Sequence, residues 1–93
     1  MVVGVLRFDL VIGDAVTLKD KRRVVKGLKD RLAGQFNVSI AEVEFLDARR
    51  RAGLAAAMVG TDRRFVESVL SKVVDHVRRC GPASLLDYTI ELW

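Results

Sequence analysis

Proline, cysteine and histidine occur once each in this chain, and each scarcity removes a class of answer. A chain so poor in proline, half apolar and regularly patterned, does not fit the composition of disorder. The lone Cys80 forms no internal disulfide and belongs to no zinc cluster. It follows Arg78 and Arg79 but has no histidine or carboxylate paired with it, so it reads as an inert thiol. The lone His76 flanks an apolar helical stripe with no ligand cluster around it, which makes it a packed or half-exposed histidine. No apolar run approaches the roughly 20 residues of a membrane span. Met1 leads straight into Val2-Val3-Gly4-Val5-Leu6, with the first cation at Arg7, so no stretch has the form of a signal peptide. The expectation is a cytoplasmic protein with no membrane partner, no metal and no cofactor.

What is present is a half-apolar chain of 93 residues (51% hydrophobic), enough for one core in one domain spanning residues 1–93. Charge is concentrated in one place. Between Leu18 and Ala33 lie the cations Lys19, Lys21, Arg22, Arg23, Lys26, Lys29 and Arg31 against only Asp20 and Asp30, a local net of +5 in a chain whose total is +4. Val24, Val25, Leu28 and Leu32 cluster on one side at helical spacing, and Lys19, Arg22, Arg23 and Lys26 lie opposite. Thr17 is the expected N-cap, with Asp20 completing a capping box. Gly34 is the expected stop. Lys21 is the exception on this helix. Its angle falls inside the apolar stripe, and the expectation is that it snorkels past the end of a sheet.

Period-two alternation marks strands at Val2–Ile12, at Phe36 to about Phe45 and at Ala83–Trp93. In the second of these the apolar parity changes after Ile40, which points to a bulge or an early end. Ala52–Gly60, apolar on both faces, suits a central strand. A second helix begins after Thr61 or Asp62 and runs to about Arg79, with Phe65, Val66, Val69, Leu70, Val73, Val74 and Val77 as its stripe. The order is βαββαβ, which specifies an α+β, ferredoxin-like fold: a four-stranded antiparallel sheet with both helices on one face. The expected strand order is last, first, third, second.

That topology brings the start of the first helix, the connection around Arg49, Arg50 and Arg51, and the end of the second helix to one end of the sheet. Lys19, Lys21, Arg22 and Arg23, then Arg49–Arg51, then Arg78 and Arg79 form one cationic rim, with Lys26 a turn further along the first helix, and Arg63 and Arg64 repeat the pattern at the start of the second helix, at the other end. Cations at a helix N-terminus are disfavoured by the dipole, and a bound anion would relieve them. Arg78 and Arg79 suit a helix C-terminus without any ligand, and the other ten residues are the candidate nucleic-acid or anion contacts. The open sheet face is expected to carry Val3, Val5, Arg7, Asp9, Ala55, Ala57, Thr89 and Glu91, with Asp9 and Glu91 near a neighbouring Arg7. It offers no aromatic platform for bases, and its small apolar residues suit subunit packing. No nucleophile, base and orienting group stand together, so no enzyme is expected.

The blocks Leu18-Lys19-Asp20-Lys21-Arg22-Arg23, Phe36-Asn37-Val38-Ser39-Ile40-Ala41-Glu42-Val43, Asp62-Arg63-Arg64-Phe65-Val66-Glu67 and Leu86-Asp87-Tyr88 resemble the YlxP family of small bacterial proteins, over nearly the whole chain. The resemblance implies a ferredoxin-like fold. It also implies a role near RNA or the ribosome, because family members are often encoded among translation factors, beside ribosome-binding factor A. The chain departs from that pattern at Asp47-Ala48-Arg49-Arg50-Arg51, which lacks an aromatic residue. Three functions follow as expectations: an accessory factor that binds RNA or a ribosomal particle through phosphates, a homodimeric interaction or scaffold module, and an anion or metabolite sensor.

Overall fold

Alternating stretches become strands and the 3.6-residue stripes become helices. A computed structural model describes residues Met1–Trp93. It contains β1 (Val2–Val11), α1 (Leu18–Gln35), β2 (Ser39–Glu44), β3 (Arg51–Gly60), α2 (Arg63–Arg78) and β4 (Ser84–Leu92). The strands form one antiparallel sheet in the order β2-β3-β1-β4. This is the expected ferredoxin-like arrangement.

The inner face of the sheet follows the register. Leu6 lies opposite Ala56, Phe8 opposite Leu54 and Leu10 opposite Ala52, and all six are buried. Val25, Leu28 and Leu32 of α1 and Val66, Leu70, Val73, Val74 and Val77 of α2 complete one core cluster. At Gly4 an added Cβ would lie 2.5 Å from Val66 and 2.8 Å from Leu70 of α2. The absence of a side chain there lets the helix sit directly on β1.

Several local details differ from the pattern. α1 runs through Gly34 and stops at Phe36, which is extended and whose N–H bonds the Leu32 carbonyl. No glycine in the chain has a positive φ, so Gly34 continues the helix. β2 begins at Ser39, and its bulge falls at Val43, between Glu42 and Glu44. Ile40 and Glu42 both have the inner parity, opposite Ala56 and Leu54. A carboxylate at an inner position is what made the apolar parity change too early. In β4, Leu85 pairs with Leu10 and Asp87 with Asp9, so Leu86 is the extra residue and is exposed. Phe65 is exposed at the first turn of α2, where Val66 takes the core position.

Candidate nucleic-acid interface

The N-terminus of α1 closes on itself. The Asp20 N–H donates to Thr17 Oγ1 at 3.1 Å, and Asp20 Oδ2 accepts from the N–H groups of Thr17 (3.2 Å) and Val16 (3.3 Å). The capping box is complete, and its carboxylate already supplies a negative charge at the positive end of the helix. The cations of this turn are therefore relieved from within the chain and need no bound anion. The Thr17 and Val16 N–H bonds, then the Thr17 hydroxyl and the Arg23 charge, hold the Asp20 carboxyl below the usual carboxylate range. A carboxyl held low in the folded state stabilises it above the unfolded pKa and loses that effect as pH falls through the folded one. Asp20→Asn should thus melt below wild type near neutrality, and the gap should close below about pH 4. Thermal melts across pH check this, and a pH-independent gap would contradict it.

Lys21, one residue on, is fully buried. Its ammonium donates to Glu42 Oε2, to the Phe45 carbonyl at 2.9 Å and to the Leu46 carbonyl at 3.3 Å. Three donors meet three acceptors, the condition under which a buried cation is tolerated. Lys21 neither snorkels nor belongs to the rim. Its angle in the apolar stripe was the sequence signal. The partner, Glu42 on β2, was invisible because it is distant in sequence.

The ammonium fixes the β2–β3 connection. Phe45 is the one non-glycine residue with positive φ, at 59°, a conformation that costs about 1–2 kcal/mol. Its carbonyl accepts from both Lys21 and the Ala48 N–H, the latter at 3.0 Å, so the strained turn is held from two sides. Beyond it, Arg49 Nη1 donates to the Val16 carbonyl and Arg50 Nε to the Ala15 carbonyl, each at 3.3 Å. The Ile12 N–H bonds the Arg50 carbonyl at 2.9 Å. The Arg51 guanidinium lies over the Phe45 ring, 4.4 Å from its centroid.

The ten candidate cations therefore separate. Lys19, Arg22 and Arg23 are exposed on α1 and form no ion pair, and Arg49 and Arg50 are braced beside the loop that precedes them. Lys26, one turn further on, is paired with Asp30 at 2.7 Å. That hydrogen bond, reinforced by the opposite charge, raises the Lys26 pKa and lowers that of Asp30. Arg51 is drawn onto Phe45. Arg63 and Arg64 are exposed at the start of α2, at the opposite end of the sheet. At the shared end, Arg78 lies 3.6 Å from Asp75 and over the Tyr88 ring at 5.5 Å.

The open sheet face has the opposite character. Arg7 pairs with Glu44, not with Asp9 or Glu91. Asp9 faces Asp87 across the β1–β4 ladder, and Glu91 lies opposite Val5. Four carboxylates surround one guanidinium, a field that repels a polyanion. Elsewhere, Arg31 Nη2 approaches the buried Cys80 Sγ at 3.2 Å, and His76 packs edge-on against Phe36 with centroids 6.1 Å apart. No helix is long and apolar enough to cross a membrane. Sequence reasoning missed Glu42 and Phe45. The only signals were a carboxylate at an inner strand position and an apolar Phe45-Leu46 pair leading into a charged connection.

Residues 3–90 match the family described as "Protein of unknown function (DUF503)". The chain is 35% identical, over 72 residues, to "Uncharacterized protein YlxP" of Bacillus subtilis (strain 168); the match covers 77% of this chain and 78% of that protein. Among solved structures, the de novo designed protein Foldit4 superposes with a TM-score of 0.55 at 10% identity, covering 100% of this chain and 97% of that one. LarC2 also superposes at 0.55 and 10% identity, covering 100% of this chain and 55% of that one; it is the C-terminal domain, in apo form, of a cyclometallase involved in the synthesis of the NPN cofactor of lactate racemase. At that identity both likenesses concern the fold alone.

Proposed function

The chain belongs to the DUF503 family of proteins of unknown function, and from that premise we propose that it is a non-catalytic, cytoplasmic accessory factor that binds RNA or a ribosomal particle through phosphate contacts. The observation that carries this reading is the set Lys19, Arg22 and Arg23. These three exposed cations form no ion pair within 4 Å, Arg23 acting on Asp20 only through its charge, and they lie on a helix whose neighbouring connection adds Arg49 and Arg50. Lys26 and the Arg63–Arg64 pair are secondary contacts. The acidic open face directs a polyanion to the helical side. Contacts of this kind position a phosphate backbone and carry little sequence preference.

The test is recovery of the tagged protein from a bacterial lysate. Ribosomal RNA or particles should accompany it at low salt and be lost at high salt; an RNA-free preparation at low salt would contradict the proposal. A second reading, a homodimer on the open face, draws on Val59 and Trp93. Both are exposed, and they flank Val3 through the β1–β3 register and the reciprocal Val3–Trp93 backbone bonds. A stable dimer with no affinity for RNA would favour it.

A further inference from the structure

The proposed RNA contacts leave one arrangement unused, the Phe45–Arg51 pair at the end of β2. Phe45 is 40% exposed. The chain holds it outward by a left-handed backbone that glycine would adopt more easily, and the buried Lys21 ammonium locks that backbone in place. Strain maintained by its surroundings is a pointer to function. The Arg51 guanidinium lies over the ring, 4.4 Å from its centroid, and forms no ion pair with a carboxylate, and its buried Nε has no hydrogen-bond partner. Leu46 and Val16 are also exposed, and their carbonyls accept from Lys21 and Arg49 respectively. The connection carries Arg49 and Arg50 against the single carboxylate of Asp47.

An exposed ring backed by a guanidinium, with cations around it, suits a flat, electron-rich group attached to a phosphate chain. We infer that Phe45 and Arg51 form a stacking platform for one unpaired nucleobase, so that the RNA recognised is a duplex bearing a single-stranded extension. The duplex backbone lies along Lys19, Arg22 and Arg23, and the first unpaired base turns onto Phe45. Bases stack on aromatic side chains and on arginine planes in this way in single-strand recognition. This inference rests on the RNA-binding reading and adds the site for the base.

The test uses two short RNA duplexes of identical sequence, one blunt and one with an overhang that carries 2-aminopurine next to the junction. Wild type should bind the overhang form about five-fold or more tighter than the blunt form and quench the 2-aminopurine fluorescence. Phe45→Leu, which keeps an apolar side chain but no aromatic face, should abolish both the preference and the quench while leaving blunt-duplex affinity unchanged and lowering the melting temperature by only a few degrees through the lost contact with Arg51. Equal affinity of wild type for the two duplexes overturns the inference alone, as does a preference that survives in Phe45→Leu. Failure of wild type to bind either duplex overturns the RNA reading and this inference with it. The wild-type preference and quench need no variant, so they decide the matter even if Phe45→Leu folds poorly.

Discussion

Replacing Lys21 by methionine is expected to destabilise the domain by about 3–5 kcal/mol, because removing one partner of a buried ion pair leaves the other charge uncompensated. Glu42 would keep its carboxylate under α1 with no cation, and the Phe45 and Leu46 carbonyls would each lose a donor. For a domain of this size each kcal/mol shifts the melting temperature by about 4–8 °C, so a fall of more than about 12 °C is expected. The double variant Lys21→Met/Glu42→Leu should recover a large part of that loss, since apolar replacement of both charges is often near neutral. A fall of only a few degrees in the single variant would mean that the ammonium reaches water and that the connection is held by something else.

The second large effect concerns binding. In Arg22→Glu/Arg23→Glu, two exposed cations without ion-pair partners become anions on a surface that points away from the core. Two lost phosphate contacts, each worth about 0.9 decade at ~0.1 M salt, weaken duplex RNA binding by roughly 60-fold. The loss should be uniform across RNA sequences, because phosphate contacts carry no base information. The melting temperature should stay close to wild type, since neither side chain is buried. Titration of a labelled duplex into both proteins measures this. Undiminished affinity would assign the row to solvent and leave the open-face dimer as the better account.

Element order and sheet order were legible because each element carries its own period: Leu6, Phe8 and Leu10 alternate along β1, and Val66, Leu70, Val73 and Val77 recur along α2. The capping box was legible for the same reason, since Thr17 and Asp20 meet within one turn. What escaped depends on residues that meet across the sheet. Glu42 sits inward only because Lys21 waits there, and no local pattern announces a partner on another element. The bulge in β2 was legible as a change of apolar parity, though it falls at Val43 and not directly after Ile40, whereas the one at Leu86 in β4 left no such mark. Phe45 looked like the last apolar residue of a strand, and its outward turn follows from a backbone angle that Lys21 holds. The rim was legible as a concentration of charge. Its division into unpaired, braced, ion-paired and buried members required the structure.

The most direct measurement is the salt dependence of binding between the pure protein and a blunt RNA duplex. If about four phosphates are neutralised by the α1 row and the β2–β3 connection, the logarithm of the affinity should fall linearly with the logarithm of salt concentration, with a slope of about −3.6. In Arg22→Glu/Arg23→Glu the slope should shrink toward about −1.8. A slope near zero, or no binding at the lowest salt, would contradict the claim that this basic surface holds an RNA backbone.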